Sequence, residues 1–506
     1  MGIAFFVFLK WSSSSTSVPN SSTMLNPTST TSLLLLSSAA AAAATGAAGT
    51  AGVDLAWHAP AATAVNNLTS ALQASGTYGF LFNTSRTPDR QYGTYNWCNM
   101  PHVRRREYEE YELRYVEVIQ RHHKRTPYAA NAFPVEPYRW DCDDQGLYYF
   151  GQSLLADNDT TRKSAQTYWK GTDTTINPFV PAGWIGSCQF PQITSAGLDD
   201  SRTHGEDLYD VYHTLLGFLP GRADADEEGN ALWRRHVAYR VTNNQITSQV
   251  AGQLIAGIWG ADAITQSSVP LLIQAAGHHL DASRDLYATL DAISGVPPTD
   301  TGFHASFDHY YDNLSARQCH ENKPLPCNAT TGACVTQNLA DTVYRLGQWE
   351  YSHLYRDAGP AALQASVAAY GVWIAELAAH LRVVAAGASG EVRYFHNVAH
   401  DGSVSRVLAI LQIDVMVWPG MGSEVIFEVY QKKKVKTPSL SSTATGGADG
   451  EHYVRVLFGG KPLKSSNPSL GLMDMLPFGT LLAYFDGLVG QNASLIKGKC
   501  DGSIPL

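Results

Sequence analysis

The sequence lacks an excess of positive charge. Its 506 residues include 36 lysines and arginines against 45 aspartates and glutamates, and the formal net charge is −9. Proteins that bind DNA or RNA usually present a basic surface. This balance argues against a nucleic-acid partner and indicates that arginine clusters have a local task. With 44% hydrophobic residues, a chain of this length can bury a sizeable core, and we expect two lobes.

Two common kinds of chemistry also lack their sequence marks. No glycine-rich loop is followed by Lys-Ser or Lys-Thr, the pattern that cradles nucleotide phosphates. No spacing of cysteine and histidine is typical of zinc, because Cys319, Cys327 and Cys334 lie in a loop rich in proline, asparagine and threonine. We therefore predict that the protein uses no cofactor and no metal.

The N-terminal region, residues 1–75, is expected to be a signal or low-complexity segment and to be disordered. Residues 11–32 are rich in serine, threonine and asparagine, which is typical of disorder. The apolar run at 33–44 resembles the hydrophobic region of a signal peptide, especially if translation begins at Met24. The positive charge that normally precedes such a region is missing, so an uncleaved anchor at about 33–53 is the alternative.

Cysteines and glycosylation sequons also predict a secreted glycoprotein with disulfide bonds. The chain has seven cysteines, and an odd number leaves one thiol unpaired or joined to another chain. The Asn-x-Ser/Thr sequons begin at Asn20, Asn67, Asn83, Asn158, Asn313, Asn328 and Asn492. We expect a location outside the cell or in the secretory pathway.

The most informative stretch is Arg-His-His-Lys-Arg-Thr-Pro at 121–127. It follows a run with strong β propensity at 111–120, so a strand is predicted to end there. His122 is thereby set between Arg121 and Arg125 at the end of that strand. An imidazole nucleophile with guanidinium groups beside it suits the cleavage of a phosphate ester, because the arginines hold the phosphate charge.

Two more clusters follow predicted strands in the same way. Arg240 lies in Tyr-Arg-Val-Thr at 239–242, and His400-Asp401 follows a second β-like run. Apolar residues at helical spacing come next in each case, at 247–259 and 403–413. Repeated strand, turn and helix with polar groups at the strand ends predicts an open α/β sheet, which binds ligands beyond those ends. Residues far apart in the chain are therefore expected to share one site.

These motifs resemble those of the histidine acid phosphatases, clade 2 of the histidine phosphatase superfamily, of the fungal acid phosphatase and phytase type. The family signature is Arg-His-Gly-x-Arg-x-Pro plus a distant His-Asp, and here His123 stands at the glycine position. The segment at 188–194, with Gly197, is similar to the family's Gln-Leu-Thr-x-x-Gly helix. The strand that carries Arg240 is similar to the family strand that ends in Arg-Ser-Thr. The motifs stand in the family order.

The resemblance implies a phosphomonoester hydrolase that acts through a phosphohistidine on a small phosphorylated substrate. The implied roles are His122 as nucleophile, Asp401 as proton donor, and Arg121, Arg125, Arg240 and His400 as phosphate ligands. A catalytically weak or inactive relative that binds phosphate or a sugar phosphate is the alternative. The side chain of His123 either obstructs the phosphate or adds a donor, and both remain open.

The resemblance also implies an architecture. We expect an open, mixed-to-parallel sheet sandwiched by helices, a phosphoglycerate-mutase-like core, formed by residues 76–261 and 386–506. The β-like runs at 424–430 and 453–458 are expected to pair and complete the sheet. A mostly helical cap insertion is expected at 262–385, where helical periodicity predicts helices at 339–356 and 361–384. Its Trp-Glu-Tyr cluster at 349–351 either lines the substrate pocket or belongs to the core.

The charges beside His122 predict how activity depends on pH. A free imidazole has a pKa of about 6.5, and a unit charge about 4 Å away contributes about 4 kcal/mol at an effective dielectric near 20. Arginines are therefore expected to keep His122 neutral in acid, where Asp401 takes up the proton that it must donate. An acidic optimum is predicted.

Overall fold

The computed structural model of the protein describes most of the chain beyond its N-terminal region. The ranges described are 52–77, 98–100, 110–133, 139–148, 165, 167–169, 186–260, 269–274, 287–320, 323–328, 330–387, 392–433, 451–501 and 503–504. The predicted signal sequence, the alternative anchor except its last two residues, and the sequons at Asn20, Asn83 and Asn158 lie outside these residues. The end of the region predicted to be disordered is folded, because Val65 and Ala71 are buried in the core.

A mixed sheet of eight strands forms the centre of the described fold. The strands of the described residues are β1 (Tyr111–Arg121), β2 (Leu147–Tyr148), β3 (Tyr168–Trp169), β4 (Val237–Thr242), β5 (Leu272–Gln274), β6 (Tyr394–Ala399), β7 (Glu424–Lys432), β8 (His452–Phe458), β9 (Lys461–Pro462) and β10 (Leu476–Pro477). The order in the sheet is β10-β8-β7-β1-β6-β4-β5, with β9 paired to β8. Strands β2 and β3 form a separate antiparallel pair. The predicted α/β class with a mixed sheet is confirmed.

Helices cover the sheet. The α-helices are α1 (Leu68–Gln73), α2 (Ser195–Tyr209), α3 (Trp233–His236), α4 (Gln245–Trp259), α5 (Tyr287–Ser294), α6 (Asp308–Gln318), α7 (Gln337–Ser352), α8 (Pro360–Ala385), α9 (Asp401–Ile410), α10 (Phe478–Val489) and α11 (Ile496–Asp501). Single π-helical segments extend α2 (Asp210–Leu215) and α7 (His353–Asp357), and short 3-10 segments are Ala129–Asn131, Phe303–Ala305 and Gln491–Ala493. The helices predicted at 339–356 and 361–384 are confirmed as α7 with its extension and α8.

Strand β1 lies in the middle of the sheet, between β6 and β7. It pairs in parallel with β6, from Val116 opposite Tyr394 to Arg121 opposite Ala399, and antiparallel with β7. From Tyr115 onward every β1 side chain is buried, which is typical of a strand covered on both faces. The two faces pack against different helices because side chains alternate along a strand.

One face packs against α2 and α4, and the other against α8, α9 and α10. Val116 and Val118 belong to the first core, with Leu208 and Leu254. Ile119 belongs to the second and larger core, which includes side chains from α8, α9 and α10. The site described below therefore lies between two helical layers, at one end of the central strands.

Helix α8 is the long apolar helix of the described chain. By length and composition alone it could cross a membrane, and it is the one helix among the described residues with this property. Its apolar side chains, such as Ile374, Leu377 and Leu381, are buried in the core beside β1. This packing accounts for its apolar character as that of a core helix.

Three disulfide bonds join Cys98 to Cys319, Cys142 to Cys188, and Cys327 to Cys334. They use six of the seven cysteines in the chain, and Cys500 is the seventh. The prediction of disulfide bonds is confirmed, and Cys319, Cys327 and Cys334, whose spacing does not suit zinc, are all in disulfides.

Candidate active site

The carboxyl ends of β1, β6 and β4 bring the predicted site residues together. These strands are parallel neighbours, so the residues that follow them meet at one edge of the sheet. Arg121 ends β1, and His400 and Asp401 follow β6 at the start of α9. We call Arg121, His122, His400 and Asp401 the strand-end cluster.

The backbone at the end of β1 fixes the position of His122. Its N–H donates to the Ala399 carbonyl at 3.0 Å, and its own carbonyl accepts from the Gly422 N–H at 3.1 Å. The imidazole Nδ1 lies 2.9 Å from the His123 carbonyl oxygen. Since a carbonyl oxygen can only accept, Nδ1 must carry the proton. Nε2 then keeps a lone pair, which is the state that a nucleophile needs.

His122 is held neutral. The side chain is buried, with about 1% of the residue exposed. Burial is the largest cause that lowers the pKa of His122 well below its ordinary value, followed by the charges of Arg125, Arg121 and His400. The sequence predicted this direction from the arginines alone. Removal of the ring from water adds the larger share, because a buried imidazolium loses its hydration.

Arg121 lies between a carboxylate and a carbonyl oxygen. Its Nη2 is 3.0 Å from Asp401 Oδ2, and its Nη1 donates to the Pro419 carbonyl at 2.5 Å. Only about 3% of Arg121 is exposed, so these contacts hold the guanidinium in a fixed direction. The arginine therefore orients the predicted proton donor as well as adding positive charge beside His122.

Arg125 makes a second buried ion pair. Its Nη1 and Nη2 lie 3.1 and 3.0 Å from the two carboxylate oxygens of Asp312. Its Nε points to His122 Nε2 at 3.4 Å, and its guanidinium lies 4.2 Å from the centre of the Tyr128 ring. The two-pronged contact with Asp312 places one edge of the guanidinium against the His122 imidazole.

His400 and Asp401 approach His122 from the start of α9. The rings of His400 and His122 meet edge to face with centroids 5.4 Å apart. His400 Nε2 is 2.8 Å from Thr242 Oγ1, at the end of β4. Since the N-terminus of a helix carries partial positive charge, the location favours an anion.

Asp401 is held as a carboxylate. Its Oδ1 accepts from the Gly402 N–H at 2.8 Å, and its Oδ2 accepts from the Trp418 indole Nε1–H at 2.9 Å. Burial raises the pKa of Asp401, but Arg121, the Trp418 hydrogen bond, His400 and Arg125 together outweigh it and leave the pKa below its ordinary value. In the unliganded protein, protonation of this group therefore needs strongly acidic solution.

Arg240 lies on β4, two residues before its end, and its guanidinium contacts groups outside the strand-end cluster. Nη1 is 2.6 Å from Glu376 Oε2 on α8, and the guanidinium carbon lies 5.0 Å from the centre of the Phe395 ring. The structure thus brings together His122, Arg121, Arg125 and the His400-Asp401 pair, and it places Arg240 against α8.

The side chain of His123 is directed into the protein interior between α2 and β7. Its Nε2 lies 3.1 Å from His204 Nδ1, and His204 Nε2 lies 2.8 Å from Glu424 Oε2. Burial lowers the pKa of His204 to about 3. His123 therefore offers its carbonyl oxygen to His122 while its ring contacts His204. Gly422 permits this arrangement, because a Cβ there would collide with the His123 ring.

Two residues around the strand-end cluster have no signal in the sequence. Asp312 and Trp418 each contact a predicted site residue through a side chain. They lie in separate segments with no local motif, and only the fold brings them to the site. Thr242, which contacts His400, ends the Tyr-Arg-Val-Thr segment, but that segment indicates a role for Arg240 alone. Within the described ranges, no group of three or more histidine, cysteine or acidic side chains is arranged to hold a metal ion.

Comparisons with known proteins find similar solved structures. No family model and no curated protein matches the chain. The phytase of Klebsiella sp. ASR1 has a TM-score of 0.43 and 16% identity, over 76% of this chain and 96% of that one. The phytase of D. castellii has a TM-score of 0.42 and 13% identity, over 83% and 91%.

A further similar structure is the multiple inositol polyphosphate phosphatase of Bifidobacterium longum in complex with phosphate. It has a TM-score of 0.36 and 11% identity, over 74% of this chain and 93% of that one. These structures belong to the phosphatase family that the sequence motifs resemble. Likeness at these scores carries no conclusion about activity, which has to rest on the site itself.

Proposed function

We propose that the protein hydrolyses phosphomonoesters through a phosphohistidine on His122, with Asp401 as the proton donor. The observation that carries the proposal is the state of His122. It is buried, its Nδ1 faces a carbonyl oxygen, and its Nε2 is directed toward Arg125 beside the start of α9. A neutral imidazole with a fixed lone pair among positive groups suits attack on phosphorus.

The first step forms one bond and breaks another. Nε2 of His122 attacks the phosphorus, the bond from phosphorus to the ester oxygen breaks, and Asp401 gives its proton to that oxygen. In the second step water attacks the phosphohistidine, Asp401 takes the water proton, and inorganic phosphate leaves as the bond to Nε2 breaks. The acid of the first step thus becomes the base of the second.

Positive groups would hold the phosphoryl oxygens. Arg125 Nε and the His400 ring lie beside His122, and the charge of Arg121 also acts on its imidazole. We assign Arg240 to the same role on the sequence resemblance alone, although it is paired with Glu376. Arg121→Gln should therefore weaken inhibition by inorganic phosphate by at least about tenfold, the size expected for one charged hydrogen bond. Arg240→Gln should weaken it less, and equal losses would contradict this ranking.

The state of Asp401 bears on the pH dependence. Arg121 favours the carboxylate in the unliganded site. A bound phosphate dianion would share the charge of Arg121 and repel the carboxylate, and both effects raise the pKa of Asp401. Substrate would thereby promote protonation of its own proton donor. Acidic conditions assist the same change, so the proposal includes an acidic optimum.

A binder with weak or no catalysis is the second candidate. The observation that favours it is that both arginines already contact carboxylates, Arg121 with Asp401 and Arg125 with Asp312. A phosphate would have to compete with these carboxylates for the two arginines, and the carboxylates would also repel it. Such a protein would bind phosphate or a sugar phosphate without turnover.

Turnover assays separate the two candidates. Purified protein is tested on p-nitrophenyl phosphate and phytate from about pH 3 to about pH 8, a range that spans the ordinary pKa values of carboxyl and imidazole groups. The hydrolase reading predicts release of phosphate with a maximum in acid that His122→Ala abolishes. Binding of phosphate without turnover across the range would support the binder instead.

The three disulfide bonds bear on location. Structural disulfides are typical of oxidising compartments, so we assign the protein to the secretory pathway or the exterior of the cell. The signal peptide and glycosylation remain part of this proposal. Of the sequon asparagines, Asn492 is exposed whereas Asn313 is fully buried. Glycosylation of folded protein is expected at Asn492 and not at Asn313.

A further inference from the structure

The segment at residues 418–419 touches both functional groups that flank the nucleophile. The Trp418 indole Nε1–H donates to Asp401 Oδ2 at 2.9 Å. The next residue, Pro419, accepts from Arg121 Nη1 at 2.5 Å. Two consecutive residues of the loop between α9 and β7 therefore contact the carboxylate and the guanidinium, which also contact each other at 3.0 Å.

The Trp418 ring is held between two tyrosines. Tyr311 of α6 stacks on it at a centroid distance of 3.9 Å with an interplanar angle of 13°. Tyr351 of α7 stacks on it at 4.0 Å with an angle of 17°. Trp418 and Tyr311 are buried, with about 3% and 1% exposed. A ring with a partner on each side keeps its N–H in one direction.

Gln348 of α7 makes hydrogen bonds to both Trp418 and Tyr311. Its Oε1 accepts from the Trp418 backbone N–H at 2.7 Å, and its Nε2 donates to Tyr311 Oη at 3.1 Å. The neighbouring Gly347 leaves room for the stack, because a Cβ there would collide with the Tyr311 ring and lie 3.1 Å from Trp418 Cε3. We call Tyr311, Gln348, Tyr351 and Trp418 the Trp418 clamp.

We infer that Trp418 is a positioning residue, which the clamp holds so that its indole N–H and the adjacent carbonyl orient Asp401 and Arg121 for proton donation and phosphate binding. This inference rests on the proposed hydrolase function. It places the orientation of the proton donor under the control of α6 and α7, which lie in the segment predicted as a cap insertion. The sequence left open whether Tyr351 lines the substrate pocket or belongs to the core. In the clamp, Tyr351 packs on Trp418 and so supports the site from behind.

The groups around Asp401 determine whether loss of the Trp418 hydrogen bond raises or lowers its pKa. Titratable and charged groups that act on it, or that it acts on, are Arg121, Arg125, Tyr128, Tyr351, Tyr355 and His400. The Trp418 hydrogen bond is one of the contacts that lower the pKa of Asp401. Since a donated hydrogen bond favours the carboxylate, its loss raises the pKa. Loss of orientation is a separate effect and reduces the maximal rate.

Trp418→Phe is the direct variant, because it keeps an aromatic ring in the stack and removes the N–H. We expect kcat for an alkyl phosphate such as glycerol 2-phosphate to fall about tenfold, as for one charged hydrogen bond. The loss for p-nitrophenyl phosphate should be smaller, because a stable phenolate leaves without much protonation. Activity falls with rising pH as Asp401 loses its proton. Because the variant has a raised pKa at Asp401, the alkaline limb of its pH–rate profile should move to higher pH.

Trp259→Phe is the matched control. Trp259 is also buried, stacks on Trp233 at 4.8 Å and donates its indole N–H to Tyr239 Oη at 2.8 Å. It lies at the far end of α4, in the core on the opposite face of the sheet. The control should leave the pH profile and the ratio of the two substrates as in the wild type. Equal losses on both substrates with an unmoved alkaline limb in Trp418→Phe would overturn the inference.

A second variant and a spectroscopic measurement keep the test decisive if Trp418→Phe does not fold. Gly347→Ala retains the N–H and disturbs the stack, so it should lower alkyl phosphate turnover more than p-nitrophenyl phosphate turnover. Protein labelled with 5-fluorotryptophan gives a 19F resonance for Trp418 that should titrate with Asp401 and stop titrating in Asp401→Asn.

The labelled protein also separates this inference from the proposed function. If the wild type does not turn over any phosphomonoester, the hydrolase proposal fails, while a titrating resonance still shows that Trp418 reports on the ionisation of Asp401. If turnover is present and the resonance does not respond to Asp401, the hydrolase proposal stands and the positioning role of Trp418 is refuted.

Discussion

The strand-end cluster and the Trp418 clamp are held in different ways. Backbone hydrogen bonds hold the cluster, such as Arg121 N–H to the Ser423 carbonyl and His122 N–H to that of Ala399. The clamp depends on stacked rings and on the Gln348 side chain. The sheet therefore determines where the proposed reactive groups lie, and we infer that the helices carrying the clamp determine the orientation of Asp401 and Arg121.

This difference predicts two grades of mutational effect. A change within the strand-end cluster removes a reacting group and leaves the backbone frame in place. A change among the surrounding residues leaves every reacting group present but alters its direction or its pKa. The first kind should affect the chemical step most strongly, and the second should appear in pH profiles, leaving-group dependence and stability.

The largest effect is expected for His122→Ala. The variant has no nitrogen to attack phosphorus, so turnover of every phosphomonoester should fall to the background of the assay. Circular dichroism and thermal unfolding should show that the fold is retained, because the His122 backbone bonds do not need the ring. Substantial remaining activity would remove His122 as the nucleophile.

Asp401→Asn is expected to come next. Asparagine keeps the shape of the side chain but cannot donate a proton at low cost. We expect alkyl phosphate turnover to fall by about 10²–10⁴-fold, the usual contribution of general acid catalysis, and p-nitrophenyl phosphate turnover to fall less. Inhibition by inorganic phosphate measures whether the arginines still bind the anion. Equal losses on the two substrates would mean that Asp401 has a structural role.

Asp312→Ala tests the support of Arg125. It leaves a buried guanidinium without its carboxylate, a change that usually costs about 3–5 kcal/mol of unfolding free energy. Urea unfolding measures the loss. Asp486→Ala is the control, because its ion pair with Arg382 is partly exposed and such pairs contribute about 1 kcal/mol or less. Similar losses in the two variants would contradict a special role for the Arg125–Asp312 pair.

The smallest effect concerns the stability of the protein as a function of pH. Burial lowers the pKa of His122, whereas in the unfolded chain it is about 6.5. Below that pH the unfolded state takes up a proton that the folded state does not, so stability falls as pH falls. His122→Gln should remove this part of the loss. Urea unfolding at pH 7 and pH 5 should show a smaller decrease for the variant than for the wild type, and an equal decrease would contradict the assigned state of His122.

Local patterns in the sequence are sufficient to predict the central strands, the helices that follow them and the neighbourhood of the site. The strand before Arg121, the helix after His400 and the meeting of both at one sheet edge follow from alternation, helical spacing and the rule for parallel strands. The expected pairing of 424–430 with 453–458 is confirmed in β7 and β8. Such features depend on contacts between neighbours in sequence or between adjacent strands.

The contacts that refine the site could not be predicted in this way. The Asp312 carboxylate on Arg125 and the Trp418 indole on Asp401 depend on how helices and loops pack over the sheet. The pKa of Asp401 is lowered because positive groups and the Trp418 hydrogen bond outweigh burial, and that balance depends on distances that the sequence does not contain. The pairing of Arg240 with Glu376 likewise depends on where α8 lies, and the phosphate role of Arg240 stays a prediction.

The nucleophile can be tested directly by trapping the covalent intermediate. Wild-type protein is mixed with a 32P-labelled phosphomonoester, quenched in alkali, where phosphohistidine survives, and digested, and the labelled peptide is sequenced. We predict one labelled peptide, with the phosphate on His122, and no label in His122→Ala. Rapid turnover with no label on His122, or with label on another residue, would contradict the mechanism.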